Sequence, residues 1–340
     1  MFFLDKIMKK YKITPVRIAF GAMIILACAI AVFFVRFRNY IAFGQSIDMS
    51  VVQMWRVYGA PSSEKEWMFS LIVESENGNW SKVAKLTKRD RHLQIGTYYH
   101  NLAMAKQGRL SQELLNYYQP MEEGLLLPIK QGTRPLFVSC AGEAWYQIGE
   151  IIMAEHSTML GLAFTATQSG ERFYRRLAQI AYINGDSCSV KKYENLLGSP
   201  IDDSWKEILP FAPKTDTVFL AGQNRLALKN LLESNPNNIM AYEYLLCYDL
   251  LRKDIASFIE DYVPGKVKSN LYDEAVLLYL AGDRLLSEVM MDKYGVSKQV
   301  YNNFRAYGDA YMISNANKQK MKEIYGNTYW YYFHFAKKDE

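Results

Sequence analysis

The chain has 340 residues and a formal net charge of +5. Seven Lys and Arg residues against one Asp fall in the first 38 positions, so the rest of the chain carries about −1. The basic balance belongs to the N-terminus, and with no recognition motif in the body nucleic-acid binding is disfavoured. The cysteines Cys28, Cys140, Cys188 and Cys247 are too few and too scattered for a disulfide framework. No Cys-x-x-Cys pair points to zinc or redox chemistry. The last three lie in apolar helical patterns and read as small buried hydrophobes.

The first element covers residues 16–38 and is built on the uncharged run from Ile18 to Val35. At ~1.5 Å per residue this run spans ~27 Å, close to the ~30 Å hydrocarbon core of a bilayer. A cleaved signal peptide needs a shorter apolar stretch and a small-residue cleavage site, whereas this run leads into Phe33, Phe34, Val35 and Arg36. Lipidation at Cys28 would leave an apolar mature start. An uncleaved span is expected, with residues 1–15 as a basic tail. Lys6, Lys9, Lys10, Lys12 and Arg17 precede it and only Arg36 and Arg38 follow closely. The charge bias places the N-terminus in the cytoplasm and the body outside, periplasmic in a bacterial inner membrane. Tyr40 and Phe43 fall where interfacial aromatic anchors belong.

Residues 39–61 form a juxtamembrane amphipathic segment. Val51, Trp55 and Tyr58 repeat at i, i+4, i+7, which suits either the bilayer surface or a cap on the body. Ser63 and Glu66 match a capping box at the start of the next helix. Residues 62–200 then read as helical pairs joined by glycine turns. A helix from Leu93 to Lys106 turns at Gly108 onto a partner that stops at Pro120. Cys140 to Ile148 turns at Gly149 onto Ile152 to Ala166. The Phe173, Leu177, Ile180 stripe turns at Gly185 onto Val190, Tyr193 and Leu197. Gly108 and Gly149 are 41 residues apart, and Gly149 and Gly185 are 36 apart. These spacings are near the ~34-residue tetratricopeptide (TPR) period.

Residues 201–219, with Pro210 and Pro213, interrupt the pattern. Residues 220–340 resume it through the turn Asn235-Pro236-Asn237-Asn238 and end in the aromatic run Tyr329 to Phe335. Exposed ends of a helical array need covering, and this run reads as the cap. The expected fold class is all-α: one N-terminal transmembrane helix followed by an irregular TPR-like α-α superhelix.

Chemical signatures are absent. There is no phosphate-binding glycine loop, dinucleotide fingerprint, His-Glu-x-x-His or Gly-x-Ser-x-Gly. His92 and His100 lie ~12 Å apart on a shared helical face, too far to hold one metal, and read as surface or interface residues. Asp202 and Asp203 read as a turn or helix cap. No enzyme activity, cofactor or metal is expected. Arg172, Arg175 and Arg176 gather opposite an apolar stripe, a face that can grip an acidic peptide or glycan. With tyrosines suited to recognition, the candidate partner groove comprises Tyr98, Asn101, Tyr146, Arg172, Arg175, Arg176 and Tyr242.

Several stretches together resemble a family of uncharacterised bacterial membrane proteins carrying a domain of unknown function. They are Tyr99-His100-Asn101-Leu102-Ala103-Met104-Ala105-Lys106-Gln107-Gly108, Gly124-Leu125-Leu126-Leu127-Pro128, Arg176-Leu177-Ala178, Ile183-Asn184-Gly185, Asn235-Pro236, Ala241-Tyr242-Glu243-Tyr244-Leu245-Leu246-Cys247-Tyr248 and Tyr325-Gly326-Asn327-Thr328-Tyr329-Trp330. The resemblance implies a membrane-spanning N-terminal part followed by a TPR-like helical region, and it carries over no catalytic residue. Its members are typically multi-spanning, whereas this chain offers one span. The expected function is a membrane-anchored, outward-facing scaffold that binds an envelope protein partner, with the bilayer held through Ile18 to Val35. The alternatives are an accessory subunit or enzyme acting on an envelope glycan or lipid, and a remnant of a multi-spanning transporter.

Overall fold

The computed structural model describes residues 15–88, 93–215, 218 and 222–337, and every regular element among them is helical. Helix α1, Pro15–Arg36, stands clear of the body. Pro15 occupies its first turn, where a missing N–H is tolerated. Phe20, Ile25, Leu26, Val32 and Val35 are all exposed. The window Ala19–Arg36 is long and apolar enough to cross a membrane, and none of it is buried by the protein. A helix apolar on every face needs an apolar surrounding, and the body does not supply it.

A sharp junction follows. The backbone amides of Asn39 and Tyr40 donate to the Glu66 carboxylate at 3.1 and 3.0 Å, and Asn39 Nδ2 adds a bond of 2.7 Å. Helix α2, Arg38–Ser46, thus begins against a carboxylate, where the helix dipole favours negative charge. Tyr40 and Phe43 are fully buried and pack on Phe69. They are core rings and not the interfacial anchors expected of them. Helix α3, Val51–Tyr58, follows, and α4, Ser63–Glu76, is capped by Ser62, which accepts from the Lys65 amide at 3.2 Å. The Ser63–Glu66 capping box does not form, because Glu66 is engaged with α2.

Helices α5, Trp80–Thr87, and α6, Gln94–Lys106, continue the stack. Every residue of α6 from Ile95 to Ala105 is buried. The long partner expected after Gly108 is instead the short α7, Leu110–Glu113, and one 3-10 turn, Leu114–Asn116. Gln119 accounts for the early end. Its Nε2 takes the Leu114 carbonyl at 2.6 Å and Asn101 Oδ1 at 3.2 Å, tying off a carbonyl that a longer helix would use.

Helices α8, Pro135–Cys140, α9, Gly142–Ile148, and α10, Ile151–Ala163, lead to the hairpin of α11, Glu171–Ile183, and α12, Ser187–Leu197. The turn glycines read from the sequence, Gly108, Gly149 and Gly185, all have positive φ, at 65°, 87° and 69°. At Gly149 a Cβ atom would also clash with the Phe211 carbonyl oxygen.

That close approach joins the two halves. Asn238 Nδ2 donates to the carbonyls of Ile148 at 2.7 Å and Phe211 at 2.8 Å. Asn235 Nδ2 donates to Pro210 and Ala212, both at 2.9 Å. Residues 210–212 of the interrupting segment are therefore stitched between the halves.

Helices α13, Asn224–Ser234, α14, Ile239–Leu251, α15, Ile255–Asp261, and α16, Asn270–Gly282, form the centre of the second half. Helices α17, Glu288–Tyr294, α18, Lys298–Ile313, and α19, Lys318–Tyr325, lead to α20, Tyr329–Phe335. Its rings pack inward: Tyr329 and Tyr332 hydroxyls donate to the Leu250 and Leu251 carbonyls at 3.0 and 2.7 Å, and Trp330 Nε1 donates to the Glu274 carbonyl at 3.0 Å. One hydrophobic core runs from Tyr40 to Tyr332.

Candidate functional site

A charged cleft of about 630 Å³ opens in the first half. Its walls are Gln45 and Ser46 of α2, Glu76 at the end of α4, Tyr146 of α9, the polar face of α11, and the loop bearing Asp202, Ser204 and Glu207. A cavity of about 680 Å³ beside Ser111, Tyr262 and Asn270 is lined by few charges.

The spacing of α11 builds the cleft wall. Phe173, Leu177 and Ile180 are buried, which turns residues 172, 175 and 176 to the other side. Arg172 lies 5.1 Å from the Phe43 ring and 5.5 Å from the Phe173 ring, and pairs with Glu76 at 2.7 Å. Its side chain is 8% exposed, and its Nη1 is buried with no hydrogen-bond partner. Arg176 sits 3.6 Å above the Tyr146 ring and pairs with Glu143 at 2.7 Å. Arg175 is half-exposed and pairs with Glu171 one turn back.

Charge in this wall is matched internally. Burial pushes the Glu76 carboxyl up against the pull of Arg172. Burial opposes the Arg176 charge, yet Glu143 beside it holds the guanidinium above its ordinary value. Burial pushes the Tyr146 hydroxyl up to about 12, so it remains a neutral donor near pH 7. A purely anionic ligand would have to compete with Glu76 and Glu143 for Arg172 and Arg176. The cleft suits a polar ligand that offers both signs of charge.

Tyr146, Arg172, Arg175 and Arg176 come together as the sequence suggested. Tyr98, Asn101 and Tyr242 do not join them. Tyr98 is fully buried, its hydroxyl donating to the Cys140 carbonyl at 2.9 Å and accepting from the Ala144 amide at 2.8 Å. Asn101, also fully buried, donates to Gln119 Oε1 and the Gly124 carbonyl, both at 2.9 Å. Tyr242 lies in the second half, 3% exposed, and accepts from the Val263 amide at 2.7 Å. Both α6 and α14 are buried around nearly their whole circumference, so a tyrosine there is packed whichever way it points.

Other expectations are also corrected. His100 is buried, bonded to Thr87 Oγ1 at 2.9 Å through Nδ1 and stacked on Tyr117 at 3.6 Å. His92 lies outside the described residues. Cys188 is exposed, because it opens α12 beside its cap Asp186. Asp202 does cap a turn, accepting from the Ser204 amide at 3.1 Å.

Sequence reasoning missed Glu76, Gln179 and Glu207. The available signal was indirect: arginines flanking a buried stripe need carboxylates nearby. Glu76 and Glu143 also line a polar cavity of about 20 Å³, the size of one water. Among the described residues no group of three His, Cys, Asp or Glu side chains is placed to hold a metal ion.

Among the described residues the fold is all-helical, with one exposed helix apolar and long enough to cross a membrane and a polar cleft in the first half. The model described as "Family of unknown function (DUF6057)" matches residues 2–201 and 199–336, and the chain belongs to that family. No curated protein and no solved structure matches it.

Proposed function

We propose that the chain is a membrane-anchored scaffold whose TPR-like helical body, held in the periplasm of a bacterial inner membrane, binds a protein partner of the cell envelope through the α11 cleft. The observation that carries this reading is the cleft's position. Gln45 on its wall lies nine residues after Arg36, within ~15 Å of the apolar helix at ~1.5 Å per helical residue. An anchor confines the search for partners to the membrane surface and raises their effective concentration there. The wall charges favour a partner segment bearing both acidic and basic side chains, with Arg175 and Glu207 as the exchangeable contacts.

The test uses the full chain, crosslinked in cells and captured by an affinity tag. Wild type, an Arg175→Glu/Glu207→Lys variant and a Lys320→Glu control are compared by quantitative mass spectrometry. A defined set of envelope proteins should fall at least ~10-fold with the cleft variant, a loss of ~1.4 kcal/mol or more, and persist with the control. An identical set from all three chains contradicts the proposal.

A further inference from the structure

A separate cavity of about 330 Å³ opens where α1 meets the body. Val35, Phe37 and Leu86 contribute its apolar lining, and Arg36, Arg38 and Lys82 its basic lining. Two carboxylates also border it, and both already hold partners, so the Lys82 charge is matched by Glu74. Glu66 accepts from the Asn39 and Tyr40 amides. Glu74 accepts from Asn79 Nδ2 at 2.8 Å and pairs with Lys82. Arg36 donates to Ser63 Oγ at 3.3 Å, and neither Arg36 nor Arg38 forms a salt bridge among the described residues. Two guanidinium groups without a direct salt bridge, Arg38 within reach of the Glu74 charge, therefore sit at the end of an apolar helix of membrane-spanning length.

Two contacts define which part of the body lies at that level. Arg36 touches Ser63, at the start of α4, and the Tyr40 hydroxyl donates to the Gly59 carbonyl at 2.8 Å, just past the end of α3. Helix α3 therefore returns toward the anchor. It buries Met54 and leaves Val52 and Trp55 each 58% exposed, one turn apart on one face, with Arg56 beside them. An exposed Trp–Val–Arg face at the foot of a span has the composition of an interfacial contact.

We propose that this foot is a lipid-binding surface: the cavity takes the phosphate of an anionic phospholipid between Arg36 and Arg38, and α3 rests in the headgroup layer on Val52 and Trp55. The inference depends on α1 spanning the bilayer. It adds that the body is docked on the membrane rather than swinging from a tether, so the cleft keeps a set height and direction. Glu66 serves as the positioning residue, because its bonds to the α2 amides fix the angle between anchor and body.

The full chain, extracted in mild detergent, is titrated with phosphatidylglycerol or phosphatidylcholine and followed by native mass spectrometry. Wild type should retain one phosphatidylglycerol in preference to phosphatidylcholine by roughly tenfold or more. Arg36→Gln/Arg38→Gln should lose that preference, while Lys320→Gln keeps it. All these side chains are exposed, and an unchanged melting curve confirms folding. Equal retention of the two lipids, or a preference that survives Arg36→Gln/Arg38→Gln, overturns the proposal. Displacement of the lipid by millimolar inorganic phosphate overturns it in favour of a free-anion site. In nanodiscs, brominated lipid should quench wild-type tryptophan fluorescence more than that of Trp55→Phe; equal quenching places α3 away from the bilayer. Carbonate extraction separates the two failures. A released chain removes the anchor and this inference together, whereas a retained chain without lipid preference removes this inference alone.

Discussion

Two arginine-centred networks occupy the two halves of the molecule, and they differ in completeness. In the second half Arg225 Nε contacts both oxygens of Asp249 at 3.0 and 3.1 Å, and Nη2 reaches Asp261 at 2.5 Å and the Ser257 carbonyl at 3.1 Å. Asp249 is fully buried, and even beside Arg225 its burial pushes the carboxyl up to about 6. This network joins α13, α14 and α15. In the first half Arg172 keeps an unpartnered Nη1, and Arg172 and Arg176 line a cavity of about 630 Å³. Buried charge that is fully paired serves the fold. A buried guanidinium that keeps an unpartnered N–H beside an opening has hydrogen-bonding capacity for a ligand.

The sharpest way to test that distinction is to remove one arginine from each network. Arg225→Met strands Asp249 in the core and should cost ~3–5 kcal/mol of unfolding free energy. Arg172→Met should cost less, ~1–2 kcal/mol, because its partner Glu76 retains 25% exposure. Denaturant unfolding of the two variants reads the difference, and equal costs would erase it. Asn238→Ala removes three buried hydrogen bonds, two donated to the Ile148 and Phe211 carbonyls and one accepted from the Ala241 amide. A loss of ~2–4 kcal/mol is expected, with both halves unfolding together. Two separated transitions in the variant would show that this joint couples the halves, and an unchanged single transition at wild-type stability would show that it does not.

A pH series probes burial without a partner charge. Glu150 is 2% exposed and accepts from the Met153 amide, and burial pushes its carboxyl from 4.5 up to about 7. The folded chain then holds a proton that the unfolded chain has released. Stability from this group is present below about pH 4.5, falls as pH rises toward 7 and levels off above, by at most ~3 kcal/mol. Glu150→Gln should remove that decline, seen as a flatter melting temperature against pH. The smallest effect belongs to the cleft rim. Arg175→Gln breaks a half-exposed pair and should change stability by less than ~0.5 kcal/mol.

Elements whose determinants are local were legible in the sequence. The run Ile18 to Val35 is a helix because of its own composition, and Gly108, Gly149 and Gly185 terminate helices through their own backbone freedom. Elements determined by distant partners were not. The end of α7 depends on Gln119, the start of α2 on Glu66, and the placement of residues 210–212 on Asn235 and Asn238. The candidate site divides in the same way. Arg172, Arg175 and Arg176 declared a face through i, i+3, i+4 spacing. Tyr98, Asn101 and Tyr242 were misassigned because both sides of α6 and α14 are covered, which periodicity on one helix does not report. Glu76 and Glu143 come from two other helices, at positions no local pattern marks.

The most direct measurement is site-specific photo-crosslinking in intact cells. A benzophenone side chain is placed at Glu207 on the cleft rim or at Lys320 on the second half, both exposed positions. The full chain should give a discrete adduct from position 207 that Arg175→Glu abolishes, and none from position 320. No adduct at 207, or the same adduct from both positions, would contradict the assignment of the first-half cleft as the recognition site.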